Sequence, residues 1–260
     1  MTDQIKILTM VIVAQLSFIP MIIYGNIQMW ITSFFIYFIM FGLGVSLYNH
    51  RVLSHRSVIL KNRLLKLFLL FWSTVMLQGS TIAWVSMHRE HHKHSDTKKD
   101  PHTPVEGFWQ SYWLSMMHTP NIKRFGIDLL RDKDITWFHK YFWRINIAYS
   151  AILFLTFGWM GILVGHLVPA AFTWHGVSIV NAVSHAPINL PSILGYRNYE
   201  TNENSKNIPL AGYLTFGEAW HNNHHGKPAS YTFKSKWWEF DIIASVADIL
   251  RWMKLVEIKK

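Results

Sequence analysis

The sequence contains no cysteine, and only 15% of its 260 residues are charged, where soluble domains average about 25%. The absence of thiols excludes disulfides, zinc–thiolate sites, iron–sulfur clusters and cysteine nucleophiles, so that a metal ion would have to be bound by histidine or carboxylate. Half of the residues are apolar. Little charge with so much apolar surface excludes both an ordinary soluble domain and a disordered chain.

Two long runs carry no Lys, Arg, Asp or Glu: residues 7–49 and residues 145–196. Each is more than twice the roughly 20 residues that a helix needs to cross a bilayer. Gly25-Asn26 and the segment 158–161 offer turns near the middle of the two runs. We therefore predict an all-α integral membrane protein with four transmembrane helices, at about 7–24, 28–48, 145–157 and 162–183.

Basic residues predict the orientation of these helices. Residues 50–66 hold five Lys and Arg, residues 86–144 hold ten and residues 197–260 hold nine, whereas the two predicted turns hold none. Positive charge is retained on the cytoplasmic side of a membrane. These segments and the N-terminus are therefore predicted to be cytoplasmic, in a multi-pass protein.

We expect a single membrane domain over residues 1–260, because this length is within the range of one folding unit. Its cytosolic segments, 50–144 and 186–260, are expected to form a helical cap. The charge-free stretch 67–88 is interrupted by polar residues at 78–81, so we predict a helix that lies in or dips into the interface. The N-terminal apolar run is expected to be an uncleaved first span rather than a signal peptide.

Eight of the fifteen histidines fall in three short boxes. The boxes are His50-x-x-x-x-His55, His88-x-x-His91-His92 and His221-x-x-His224-His225. Residues i, i+3 and i+4 share one face of a helix, so each His-x-x-His-His box is expected to direct its imidazoles toward a common point. A lone histidine in an apolar protein is usually a packing residue, but this repetition favours metal binding.

His185 adds a ninth imidazole at the cytoplasmic end of the fourth predicted span, one helical turn after Asn181. Nine imidazoles exceed what one ion accepts, which predicts two metal ions. Iron, zinc and copper all suit imidazole ligands. Glu90 and Glu218 could act as general bases for a hydrolytic zinc, or could instead orient the ligands by hydrogen bonds. Asp96, Asp100 and His102 are further candidates to orient the ligands.

The boxes and their flanks resemble those of the membrane-bound fatty acyl desaturases of the Δ9 stearoyl type. The matching motifs are His50-Arg-x-x-Ser-His55-Arg, Trp84-x-x-x-His88-Arg-x-His91-His92-x-x-Ser95-Asp96, Asp100-Pro-His102, Asn181-x-x-x-His185, Gly195-Tyr-Arg197-x-Tyr199 and Gly217-Glu-x-x-His221-Asn-x-His224-His225. The likeness extends from about residue 43 to the C-terminus.

This resemblance implies a diiron centre on the cytosolic face that uses O2 and two external electrons to introduce a cis double bond, at Δ9, into a saturated acyl chain. The positions matching the family's iron ligands are His50, His55, His88, His91, His92, His185, His221, His224 and His225. Asn181 matches a residue that reaches one iron through water. The matching electron donor would be a ferredoxin or a small haem cytochrome.

The substrate implied by the resemblance is a long-chain acyl group carried by CoA or esterified in a lipid. Ser86-Met87 stands where the animal acyl-CoA enzymes have an Arg-Asp pair that contacts CoA, and the carrier stays open. The acyl chain should occupy a narrow tunnel whose closed end we expect around residues 43–47. Candidates to line this tunnel are Trp84, Trp109, Trp113 and Trp220.

Two other functions remain open at this point. A hydroxylase of alkanes, carotenoids or lipids uses similar boxes, and a histidine-rich metal transporter is a more distant alternative. Transporters hold their sites near the middle of the bilayer, whereas all three boxes adjoin charged segments. No pattern in the sequence indicates nucleic-acid binding.

Overall fold

A computed structural model describes residues 3–259, apart from the side chains of residues 3, 4 and 116. Most of the chain is helical. The α-helices are α1 (Asp3–Leu16), α2 (Phe18–Tyr24), α3 (Ile27–Tyr37), α4 (Arg63–Val75), α5 (Thr81–His94), α6 (Phe108–Tyr112), α7 (Ile122–Phe125), α8 (Lys133–Lys140), α9 (Phe142–Ile162), α10 (Val168–Ser184), α11 (Pro209–Leu214), α12 (His221–Gly226) and α13 (Ile242–Trp252). Wider π-type winding continues α3 over Phe38–Ser54 and joins α9 to α10 over Leu163–Leu167, and short 3-10 turns lie at Pro104–Glu106, Leu114–Met117 and Leu129–Arg131.

Three continuous helical stretches among the described residues are long and apolar enough to cross a membrane. They are Ile5–Tyr24, Ile27–Ser54 and Phe142–Ser184. The first two are joined by the predicted turn, where Asn26 caps α3 by accepting a hydrogen bond from the backbone N–H of Met29 at 3.0 Å. The rings of Phe18 and Trp30 stack with their centroids 6.4 Å apart, so the chain folds back on itself here.

The third stretch also reverses direction. Gly158 has φ 66° and ψ −163°, which is not helical, and a positive φ is tolerated by glycine. The Tyr149 hydroxyl donates to the carbonyl of Gly165 at 2.9 Å. Residues 16 apart in a straight helix would be about 24 Å apart. Residues 142–184 therefore form a hairpin that turns at Gly158, within the predicted break at 158–161.

The helix predicted to end at residue 48 continues to Ser54. Its last turns are held by hydrogen bonds between residues five apart, as in the 3.0 Å bond from the backbone N–H of His55 to the carbonyl of His50. In this π-type winding, side chains five apart come to lie on the same side of the helix. The first box is thereby part of the helix end.

The segment 67–88 is not one helix. α4 ends at Val75, and the chain turns through Leu77 and Gly79, both at positive φ. α5 begins after Ser80, whose side chain accepts a hydrogen bond from the backbone N–H of Ala83. The polar interruption at 78–81 therefore separates two helices, and the second helix carries the second histidine box.

The all-α prediction missed one element, a two-stranded antiparallel ribbon. β1 (Val58–Leu60) pairs with β2 (Val256–Ile258), with Val58 opposite Ile258. Strands of three residues are too short to show an alternating pattern in the sequence. The ribbon ties the C-terminus to the chain that follows the first box. The main apolar core lies beside it and includes Phe41, Leu70 and Ile243, all fully buried.

Candidate metal centre

Five histidines from three helices form the first imidazole group. They are His50, His55, His88, His92 and His224, and one ring nitrogen of each lies within 4.8 Å of the others. The Nε2 atoms of His55 and His88 are 2.9 Å apart, as are those of His92 and His224. The Nε2 atom of His50 lies 3.1 Å from that of His224. The ring nitrogens therefore converge on one small volume.

Four histidines form the second group: His91, His185, His221 and His225. His225 Nε2 lies 3.2 Å from His221 Nε2 and 3.4 Å from His91 Nε2. The Nε2 atom of His185 is buried and has no hydrogen-bond partner among the described residues. A buried polar atom without a partner is costly, and a bound cation would satisfy it.

Each His-x-x-His-His box contributes to both groups, which corrects the expectation of a common point for each box. In α5, His88 and His92 face the first group and His91 faces the second. In α12, His224 belongs to the first group and His221 to the second. The two groups adjoin each other, with the rings of His92 and His225 stacked at 4.5 Å between centroids.

The outer nitrogens of three histidines face carboxylates. His50 Nδ1 lies 2.5 Å from Glu218, and His91 Nδ1 lies 2.9 Å from Asp100. His185 Nδ1 lies 3.3 Å from Asp96. A carboxylate on Nδ1 turns the Nε2 lone pair inward and fixes the ring. The predicted orienting roles of Asp96, Asp100 and Glu218 thus have the required contacts.

Other polar residues near the groups differ in how they contact the histidines. His102 stacks on His91 with centroids 4.2 Å apart. Glu90 instead pairs with His118 at 3.2 Å. Sequence reasoning missed Glu203, whose carboxylate lies 3.4 Å from His185 Nδ1 and 3.7 Å from His225 Nδ1. Glu203 belongs to no histidine box, so its place in the sequence carries no signal.

Sequence reasoning also missed Arg51, which is fully buried. One guanidinium nitrogen lies 2.5 Å from Glu218, and the other lies 3.0 Å from Asp241. A buried charge is tolerated when it is paired and hydrogen-bonded. Arg51 therefore connects the carboxylate behind His50 to the N-cap of α13, where Asp241 accepts from the backbone N–H of Ala244.

The protonation states of these side chains suit a cation. Burial lowers the pKa of His88, His92 and His224 well below 6.5, so these rings are neutral at pH 7. Burial opposes the ionisation of Glu218, but the nearby His50 and Arg51 outweigh it and lower the pKa of this carboxyl to about 2. Asp100 is likewise ionised, because His91 and His102 outweigh burial and lower its pKa.

The two groups fit a pair of metal ions. A metal–imidazole bond is about 2.1 Å long, so neighbouring ligand nitrogens around one ion lie about 3.0–3.4 Å apart. The separations in the structure run from 2.9 to 3.4 Å. Neutral rings whose lone pairs face one another at these distances repel, and a cation between them removes that repulsion.

An apolar cavity leads to the first group. It is lined by Trp84, His88, Val177 and Asn181. An adjoining cavity has the same four residues in its lining and extends between the buried Phe41 and Val45. The ring of Trp84 stacks on His88, with the two ring centroids 5.2 Å apart. Asn181 lies on the cavity wall together with His50 and His221.

The other three predicted tunnel residues do not line this cavity. Trp109 is 65% exposed. Trp113 stacks on Trp174 with the ring centroids 6.1 Å apart. Trp220 is fully buried, and its indole N–H donates to the carbonyl of Phe240 at 2.8 Å.

Comparison with known proteins identifies the family of the chain. The model of the fatty acid desaturase family matches residues 10–248. The chain belongs to this family. The resemblance inferred from the histidine boxes is therefore confirmed, and with it the assignment to an enzyme family of oxygen-dependent oxidoreductases.

Several characterised members are similar over most of their length. The sn-1 stearoyl-lipid 9-desaturase of Anabaena variabilis is 36% identical over 221 residues, which cover 83% of this chain and 78% of the relative. The sn-2 palmitoyl-lipid 9-desaturase of Nostoc sp. (strain 36) is 30% identical, over 80% and 73% of the two chains. Delta-9 acyl-lipid desaturase 2 of Arabidopsis thaliana is 31% identical, over 82% and 68%.

Proposed function

We propose that this protein is a membrane-bound Δ9 acyl-lipid desaturase with a diiron centre. The observation that carries the proposal is the junction of two imidazole groups with an apolar cavity, at the wall formed by Trp84, His88 and Asn181. The names of the relatives, which act on stearoyl, palmitoyl and other acyl lipids at position 9, support the substrate and the regiochemistry.

The proposed ligands of one iron are His50, His55, His88, His92 and His224, and those of the other are His91, His185, His221 and His225. Asn181 is proposed to reach an iron through water, which its place on the cavity wall supports. Two bound iron ions would supply, with O2, the oxidising power needed to break an unactivated C–H bond.

The protein's own contribution is orientation and exclusion of water. Apolar side chains at Phe41, Val45 and Val177 hold the methylene chain beside the imidazole groups. The carboxylates of Glu218 and Asp100 keep the Nε2 atoms of His50 and His91 turned toward the ions. The distance from the mouth of the cavity to His88 then determines which carbon pair is oxidised.

We propose that the chain crosses the membrane four times, with the metal centre on the cytoplasmic side under a helical cap. The hairpins at Gly25 and Gly158 support two pairs of antiparallel spans. Lys and Arg are concentrated in the segments that carry the boxes and are absent from the two turns, which supports a cytoplasmic centre.

The two electrons are proposed to come from a separate acidic protein, a ferredoxin or a small haem cytochrome. The net charge of +10 supports attraction of such a partner.

Expression in cells that lack their own desaturase tests the proposal. Fatty-acid methyl esters analysed by mass spectrometry should contain a cis double bond at Δ9, absent from cells that express His224→Ala. A hydroxylated chain in place of the alkene would overturn desaturation in favour of a hydroxylase. Purified protein without bound iron would overturn the diiron assignment.

A further inference from the structure

We propose that the acyl cavity opens sideways at the membrane boundary, and that the acyl chain of a membrane glycerophospholipid reaches the metal centre through this lateral opening. The inference rests on the proposed function, which it extends to the route of the substrate and to a phosphate-bearing headgroup. Three observations support it: a side branch that adjoins the cavity, its position at the ends of two stretches long and apolar enough to cross a membrane, and the distribution of charge.

The side branch adjoins the cavity that reaches His88. Both are lined by the same five residues, Ile7, Gly79, Ala83, His118 and Pro120. From these residues the main cavity runs past Trp84 toward His88, while the branch runs outward. Only these five shared residues therefore lie between a chain held in the branch and the cavity that reaches His88.

The branch ends where two membrane-spanning stretches begin. Ile7 belongs to the stretch Ile5–Tyr24, and Phe142 is the first residue of Phe142–Ser184. Trp143, which follows, lines the same opening, and tryptophan is favoured at the level of the lipid headgroups. In the four-span arrangement proposed above, the opening would lie near the depth of the ester groups of a glycerophospholipid.

Charge at the opening suits a lipid phosphate. The exposed Lys140 lines the branch two residues before Phe142. Among the described residues that line the branch there is no carboxylate. A lysine at the membrane surface attracts anionic headgroups, so Lys140 is positioned to contact the phosphate while the acyl chain enters beside Ile122.

The aqueous side of the cavity is less suited to a polyanionic carrier such as CoA. A groove there meets the cavity at His118. Its described lining residues include the cations Lys98, Lys99 and Arg124, but also the carboxylates Glu90, Asp100 and Glu106. The charges balance, so this groove lacks the excess of positive charge that several phosphates require. This distribution favours a lipid that arrives from the side.

Photolabelling tests the route without relying on turnover. The full chain is placed in vesicles of phosphatidylglycerol and phosphatidylcholine with a trace of phosphatidylglycerol that carries a diazirine near the ester end of one acyl chain. Peptides containing 118–122 and 139–143 should be labelled. Labelling confined to the groove residues 98–110, or no labelling of the chain, would overturn the proposal.

Two matched lysine variants test whether Lys140 contributes to lipid binding at the opening. Lys140→Gln should lower labelling about fivefold, as expected for the loss of one positive charge at a membrane surface. Lys133→Gln, at the other end of α8 and also exposed, should leave labelling unchanged. Equal labelling of the two variants would overturn the role of Lys140.

Because the chain has no cysteine, single thiols can be introduced cleanly. Ile122→Cys capped with a bulky maleimide should abolish desaturation and retain bound iron, whereas the same treatment of Glu106→Cys should leave both unchanged. Full activity of the capped Ile122→Cys protein would overturn the lateral route. A wild-type protein that is labelled at the opening but makes no alkene would instead contradict the proposed function and leave the route intact.

Discussion

Substitution of Asp100 by asparagine tests how the carboxylates support the metal centre. One oxygen of this buried carboxylate accepts from His91 Nδ1 at 2.9 Å and from the backbone N–H of Asp96 at 2.9 Å. The other oxygen accepts from the backbone N–H of His102 at 3.0 Å. Both carboxylate oxygens thus accept hydrogen bonds. An asparagine has only one side-chain oxygen, so its NH2 group must face at least one of these N–H donors.

The cost can be estimated from these contacts. The least unfavourable orientation places the amide NH2 against the N–H of His102 and weakens the bond that fixes His91. An unsatisfied buried donor costs about 1–3 kcal/mol, and loss of a partner that orients a ligand typically lowers metal affinity about 10- to 100-fold. We expect Asp100→Asn to lose iron from the four-histidine group and to retain it in the five-histidine group.

The assay is iron per polypeptide after equilibration against a series of chelator concentrations. The wild type should release its two ions together at high chelator, while Asp100→Asn should release one of them at about 10- to 100-fold lower chelator strength. Asp248→Asn is the matched control, because Asp248 is partly exposed and pairs with Arg251 away from the histidines. Identical release curves for Asp100→Asn and the wild type would refute the reasoning.

Further predictions concern the ligands, the tunnel and the effect of pH. His224→Ala should abolish unsaturated product and lower bound iron while membrane insertion persists, and full activity would refute the ligand assignment. Val45→Phe should shift the products toward shorter acyl chains, because the buried Val45 lines the adjoining cavity together with His50 and His88. Leu43→Phe lies outside that lining and serves as the control, and an unchanged profile of methyl esters on chromatography would contradict the prediction. Metal-free protein should lose stability in acid: burial lowers the pKa of His88 and His92 below 6.5, so the folded state binds fewer protons than the unfolded state. Each such histidine then removes about 1.4 kcal/mol per pH unit below 6.5, and equal urea midpoints at about pH 7.5 and pH 5.5 would contradict this.

Much of the architecture follows from one-dimensional patterns. Absence of charge over residues 7–49 and 145–196 marks the apolar helices, because length and apolarity alone decide whether a helix suits a bilayer. The turn at Gly158 could be placed because glycine tolerates the positive φ found there, and the turn at Gly25 could be placed because Gly-Asn is a typical turn sequence. The nine histidines could be grouped in advance, since their spacing is a local property of helices.

Contacts between distant segments could not be foreseen in the same way. The allocation of His91 and His92 to different groups depends on how α5 packs against α12. Glu203 lies in a loop and contacts His185, and Arg51 belongs to a buried series of ion pairs. No spacing in the sequence predicts either contact. Three of the four tryptophans proposed for the tunnel lie outside the lining of the cavity at the histidines, because aromatic residues serve equally as packing and only the fold distinguishes the two uses.

The histidine boxes and the long apolar helices of this protein can therefore be recognised from the sequence alone, since the spacing of histidines and the length of an apolar run are local properties of a helix. The division of nine imidazoles between two groups, the carboxylates behind them and the cavity beside them arise only when helices far apart in the chain are brought together. Local periodicity constrains the direction of each side chain relative to its own helix, whereas the meeting of side chains from different helices depends on packing over the whole molecule.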